Sequence, residues 1–123
     1  MKKIFAKCLT AVFVLSAFFA PFNLNVFADS ENNVWKNIYV STLGNDQNDG
    51  SENSPFKTVE RAKEEVRKIS ENMSGDIVVN IADGIYRQTE MLDFTVADSG
   101  KNGYNVIYRG EKDKYPVISG GFE

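Results

Sequence analysis

The chain has no histidine at all and a single cysteine in 123 residues. Without histidine, neither a Ser-His-Asp nor a Cys-His nucleophile system can be assembled from these residues, and neither can a His-based zinc site. Carboxylates, Tyr, Lys and Arg are the remaining candidate catalysts. Long apolar runs are also missing. The one run, Leu9 to Ala20, is broken by Thr10 and Ser16 and falls short of the ~18–20 residues that span a bilayer. It follows Lys2, Lys3 and Lys7 and precedes Val26-Phe27-Ala28. A basic start, a short apolar stretch and a small-residue site together read as a secretion signal over 1–28, cleaved between Ala28 and Asp29. Cys8 lies before the apolar run, is not placed for lipid attachment, and would leave with the signal.

Basic residues are scarce in what remains. Loss of Lys2, Lys3 and Lys7 takes the 14 basic residues to 11 against 17 acidic ones, a net charge of −6 where the whole chain carries −3. That excess argues against nucleic acid and anionic membranes as partners, and no stable membrane insertion is expected after cleavage. The remaining chain of about 95 residues makes one small domain at most and has no cysteine for a disulfide to support a small core. Composition thus suits a soluble, secreted protein.

Asp29 to Asn33 is polar, and residues 29–36 read as a flexible start. Asn37–Ser41 reads as a short strand. A turn-rich loop follows from Gly44 to Pro55, in which Asn and Asp bond their own backbone, Gly50 supplies positive φ and Pro55 closes the loop. A helix should start after Thr58, whose hydroxyl suits an N-cap, with Glu60 in the first turn. Val59, Ala62, Val66, Ile69 and Met73 recur at spacings of three and four, one apolar stripe. Glu64 and Lys68 are spaced as an i,i+4 pair, Lys63, Arg67 and Lys68 read as a solvated face, and Gly75 ends the helical region. Ile77–Ile81 is continuous and β-branched, as a buried strand requires. Asp83-Gly84 turns the chain, Met91–Val96 alternates as a strand would, Asp98–Gly103 is a further turn cluster, and Asn105–Tyr108 and Val117-Ile118 read as the last strands. Strand starts near 77, 91, 105 and 116 recur every 11 to 14 residues, a spacing that a β-sandwich and a β-solenoid both accommodate.

Three blocks carry a resemblance. Tyr39-Val-Ser41, the Gly44–Gly50 loop, Pro55-Phe56-Lys57-Thr58 and the helix after them resemble the opening segment of secreted bacterial right-handed parallel β-helix proteins, the pectate-lyase-like superfamily and related glycoside hydrolases. Asp76–Phe94, with Gly84 and Tyr86, looks like a first coil. Asp98–Gly121, with Gly100 and Gly120, is similar to a stretch of the larger glycosidase-like members. The resemblance implies a mostly β chain with one α-helix. Residues 37–75 would form the N-terminal strand, loop and capping helix, and 76–123 the first coil or coils, incomplete at the C-terminus. Its structural residues would be Gly50, Pro55, Phe56, Thr58, Val59, Ala62, Val66 and Ile69 in the cap, and Gly84, Tyr86, Gly100 and Gly120 in the coil. A coil buries its apolar face only against neighbours, so a cap stripe and further coils are both expected. No residue here matches a family catalytic acid, base or calcium ligand. Catalytic and metal roles are therefore assigned to none, and no cofactor is expected in this segment.

Each chemical motif has a plainer reading. Asp46, Asn48 and Asp49 suggest calcium, but counting from Asp46 puts Gly50 at position 5, Ser51 at 6 and Lys57 at 12, which fails the EF-hand pattern. A loop held by Asx side chains is the simpler account. Asp83, Glu90, Asp93 and Asp98 contain enough carboxylates for a glycosidase pair, yet spacing alone makes them surface acids. Trp35, Tyr39, Tyr86, Tyr104 and Tyr108 could stack on sugar rings, although strand aromatics usually pack against neighbours. Gly120-Gly121 lacks the Lys-Ser/Thr of a phosphate loop.

Three functional expectations follow. The first is the secretion signal and cap of an extracellular β-helix enzyme acting on polysaccharide, with its catalytic residues beyond this segment. A hydrolase would use two carboxylates; a lyase would use calcium and a base. The second is a non-catalytic surface or carbohydrate-binding protein on the same scaffold. The third is an inactive, truncated gene product.

Overall fold

The computed structural model describes residues 33–121. The expected signal segment, its expected Ala28–Asp29 cleavage site and residues 29–32 lie outside the described residues. The order of elements is β1 (Val34–Val40), α1 (Val59–Ser70), β2 (Asp76–Ile81), β3 (Ile85–Arg87), a 3-10 turn (Val96–Asp98), β4 (Val106–Gly110) and β5 (Val117–Ser119). The described chain is mostly β with one α-helix. Two small sheets form, a three-stranded one in the order β1-β2-β4 and a two-stranded one of β3 and β5. Every strand pair is parallel. Ile77 pairs with Val106 and Ile85 with Val117, so strands meet partners 29 and 32 residues further along the chain. Among the described residues no helix is long and apolar enough to cross a membrane.

Helix α1 starts where its cap demands. Thr58 has extended backbone and its hydroxyl accepts from Arg61 N at 3.2 Å. Asp46, twelve residues earlier, accepts from the amides of Lys57 and Thr58 at 2.9 Å each and from the Thr58 hydroxyl at 3.0 Å, which fixes the loop to the helix start. Arg61 lies 4.4 Å over the Phe56 ring and pairs with Glu65 at 3.0 Å. Lys68 reaches Glu65 at 3.7 Å, a different acid from the Glu64 its spacing suggests. The helix stops at Ser70, before Gly75, with Glu71 still in the αR region as C-cap. Gly75 has another role. A Cβ there would stand 2.5 Å from Asn33 O and 2.9 Å from Trp35 Cβ, so glycine lets the approach to β2 pass under the start of β1.

The core lies between α1 and one face of the larger sheet. It joins Ile38 and Val40 of β1, Phe56 of the loop before α1, Val59, Ala62 and Val66 of α1, Met73 after it, Ile77, Val79 and Ile81 of β2, and Tyr86 of β3, with Ile69 packed at its margin. All six residues of β2 are buried, because this strand is central and flanked on both edges. The Tyr86 hydroxyl donates to Ala82 O at 2.8 Å and stands 3.3 Å from Val40 O, tying β3 to the end of β1. Gly84 adopts φ 144, and a Cβ there would stand 2.8 Å from Thr42 Cγ2.

Two expectations are corrected. The strand read at Asn37 begins at Val34, and residues 34–36 pair against Asp76 and Ile77 instead of forming a loose start. The alternating stretch Met91–Val96 forms no strand. It is irregular, with Met91 and Val96 almost fully exposed. Alternation there had no partner: the next strand beside β2 in its sheet is residues 106–110, and the one beside β3 is residues 117–119.

Candidate functional site

The sheet's outer face, opposite the core, carries the polar residues of β1, β2 and β4. Tyr39, Asn80 and Arg109 occupy one register level across the three strands. Asn80 Nδ2 donates to Asn37 Oδ1 at 3.1 Å, and Arg109 Nε donates to Asn80 Oδ1 at 3.0 Å. Asn80 is only 6% exposed, so both polar ends of its amide must be satisfied, and they are. Over this row lies an open depression of about 640 Å³, bordered by Glu52, Glu111 and Lys112. A smaller one of about 240 Å³ adjoins it over Asn37 and Val34. An aromatic ring, an amide and a guanidinium on one rigid surface offer stacking together with directed hydrogen bonds.

The two edges of the sheet differ. The free edge of β1 is occupied by the loop before α1: Tyr39 N donates to Gly50 O at 2.8 Å, Phe56 N to Tyr39 O at 3.0 Å and Ser41 N to Phe56 O at 2.8 Å. Gly50 adopts φ 75, and a Cβ there would run into the Phe56 ring. Pro55 O accepts from Asn48 Nδ2 at 2.9 Å, and Asp49 Oδ1 from Ser51 N at 2.9 Å. The Asx side chains thus serve the loop's own backbone, and the hydrogen bonds of Ser51 draw the Asp49 carboxyl below its ordinary range. At the other end, β4 and β5 each have one strand neighbour, and Val117, Ile118 and Tyr115 are exposed beside them.

The four carboxylates considered for acid–base work separate by environment. Asp98 is buried and accepts from Arg67 Nε at 2.5 Å, Arg67 Nη2 at 2.8 Å and Thr95 N at 2.7 Å. The Arg67 guanidinium is the main cause that holds its carboxyl down at about 2, and the same contact raises Arg67. A group so acidic cannot serve as a general acid near neutral pH; it ties α1 to the 3-10 turn. Asp83, Glu90 and Asp93 are exposed.

The aromatics divide in the same way. Tyr86 sits in the core, and Tyr104 and Tyr108 pack against it. Burial pushes the Tyr108 hydroxyl up to about 12, which removes it as a base. Its ring meets Phe94 edge-on at 5.2 Å. Trp35 is half-exposed outside the depressions described. Only Tyr39 of the five lines the outer-face depression.

Among the expected coil glycines, Gly100 is closely approached by the Tyr104 carbonyl, whereas a Cβ on Gly120 would meet no atom within 4 Å. Sequence reasoning passed over Asn80 and Arg109. The available signal was an amide inside the β-branched run Ile77–Ile81.

No family model matches this chain. It is 36% identical over 83 residues to the uncharacterised protein YwoF of Bacillus subtilis (strain 168), an alignment covering 68% of this chain and 15% of that protein. A solved glycoside hydrolase superposes with a TM-score of 0.66 at 31% identity, over 71% of this chain and 15% of its own. The chain therefore spans about 15% of the length of each of these relatives. The structural neighbour is a carbohydrate-active enzyme by its description.

Proposed function

We propose that this chain supplies the secretion signal, the N-terminal cap and the first coils of a right-handed parallel β-helix in an extracellular protein acting on polysaccharide. The observation that carries the reading is the asymmetry of the parallel stack. One edge is bonded by the Gly50–Phe56 loop, with α1 laid over the core, while β4 and β5 keep free edges. Parallel strands with unpaired edges are templates for further strands, and partners 29 and 32 residues apart fall within the roughly 20–50-residue period of solenoid repeats. Right-handedness follows from the rule for parallel crossovers such as β1–α1–β2. Polysaccharide is supported by the likeness to a glycoside hydrolase at 31% identity. The catalytic groups belong to later coils: of the four carboxylates weighed, Asp98 is committed to an ion pair and the others are solvent-facing.

The experiment is to purify the native product from culture medium, determine its N-terminus and intact mass, and assay it on xylan, galactan and pectin. A secreted product starting at Asp29, several times heavier than the segment 29–123 and releasing sugars, is expected. Reducing ends without ultraviolet-absorbing unsaturated products would identify a hydrolase; unsaturated products that vanish on calcium chelation would identify a lyase. A secreted product inactive on all three polymers overturns the enzymatic reading.

A further inference from the structure

The row Tyr39–Asn80–Arg109 holds more order than a solvated sheet face needs. A buried amide at the centre of a strand is costly unless fully hydrogen-bonded. Here its Oδ1 is spent on Arg109 Nε. That bond fixes the guanidinium by one nitrogen and leaves Nη1 and Nη2, which have no partner among the described residues, free to donate. Tyr39 stands at the same level two strands away with its ring lining the same depression. Two interstrand steps from β1 to β4 cover roughly 9–10 Å, the length of a disaccharide.

We infer that this row is a subsite for a neutral oligosaccharide lying across the strands. The inference rests on the carbohydrate reading above and names its ligand class. Charge decides between neutral and acidic sugars. The rim sets Arg109 and Lys112 against Glu52 and Glu111, a balanced set with no net attraction for a polyanion. A uronate chain would bring a carboxylate toward two glutamates. A neutral sugar presents hydroxyls, which donate to the glutamates and accept from the guanidinium and ammonium. Tyr39 supplies an apolar surface for the C–H face of a pyranose. The free edge of β4 leaves the row open in the direction of the stack, so the subsite suits a chain and not a single sugar.

The test is calorimetric titration of the full-length secreted protein with xylohexaose, cellohexaose and a galacturonic acid hexamer. At least one neutral hexamer should bind more tightly than the acidic one. Arg109→Ala should weaken that binding about tenfold or more, the loss expected when charge-assisted hydrogen bonds are removed. Tyr39→Ala should weaken it similarly while Tyr39→Phe, which keeps the ring, retains it. Lys68→Ala, on the solvent face of α1, is the control and should bind as wild type. Circular dichroism of each variant separates lost binding from lost folding. Preference for the galacturonic acid hexamer, no binding of either neutral hexamer, or neutral binding indifferent to Arg109→Ala and Tyr39→Phe/Ala, overturns the subsite. Polymer degradation that survives in those cases leaves the carbohydrate reading standing; a wild-type protein that neither binds nor degrades any of these sugars ends both.

Discussion

Replacing Phe56 with alanine should open the edge of the sheet that the loop covers. Phe56 is completely buried, and its backbone makes two of the three hydrogen bonds that close β1. Truncating a buried Phe generally costs about 3–5 kcal/mol. The lower end applies here, because the Gly50 turn directly over the ring belongs to a surface loop that can settle into part of the space. That figure includes loss of the Arg61 contact at 4.4 Å, worth about 0.5–1 kcal/mol. A loss near 3 kcal/mol is a large share of the roughly 4–13 kcal/mol expected for a unit of this size. It corresponds to an increase of about a hundredfold in the population of the opened loop. Hydrogen exchange reads this directly: the amides of Tyr39 and Ser41, which donate to Gly50 and Phe56, should exchange about a hundredfold faster in Phe56→Ala. Amides of β2, bonded between two strands, should change less. Leu43→Ala, 95% exposed in the same loop, should leave all of them unchanged. If Tyr39 and Ser41 keep wild-type protection in Phe56→Ala, the loop does not depend on the buried ring and this account of the covered edge is wrong.

Three further outcomes are expected. Asp98 has a folded pKa of about 2 against an ordinary 3.8, so the unfolded chain binds the proton more readily between those values. Its stabilisation is complete above pH ~4 and is lost as pH falls toward 2; the urea midpoint of Asp98→Asn should fall less than that of wild type between pH 5 and 2, and parallel curves would refute the assignment. Thr58→Ala removes the acceptor for Arg61 N and should cost about 1 kcal/mol, read from urea unfolding followed at helical wavelengths; an unchanged midpoint would show that Asp46 alone caps the helix. The segment 29–123 expressed alone should self-associate through β4 and β5 and melt broadly, and Val117→Lys should reduce the association by charging the edge. A sharp two-state transition in a monomer would contradict this.

Local chemistry was legible where a residue acts within a few positions of itself. Thr58 as cap, the Val59/Ala62/Val66 stripe, the Gly50 turn and the buried run of β2 all follow from propensity and period, and the structure places them so. Long-range pairing was not legible. Nothing in the period of Met91–Val96 says that β2 skips it for a strand 29 residues on. Asp98 looked like one acid in a turn cluster, though Thr95-Val-Ala-Asp98 has the form of a capping box, which it makes with Thr95. Its bond to Arg67, 31 residues away, needs the fold. Arg67 itself, read as part of a solvated face, shows why a charge on a helix cannot be assigned from its stripe alone.

The outer-face row raises the same issue with more at stake. Asn80 costs β2 an apolar residue in its most buried strand, and the return is a guanidinium fixed on the outer face and not in the core. A cross-strand pair that served stability alone would be replaceable by an apolar pair of similar shape, because desolvating polar groups offsets most of what their hydrogen bond contributes. The double variant Asn80→Val/Arg109→Leu puts this to a measurement. If the row exists to bind, the double variant should be at least as stable as wild type in urea and should lose affinity for the neutral hexamer. If the row only packs the sheet, the double variant should keep any glycan affinity, with stability again close to wild type because both partners are replaced together. The readings part on affinity, so a glycan titration of the double variant, with urea unfolding as the control for folding, separates them.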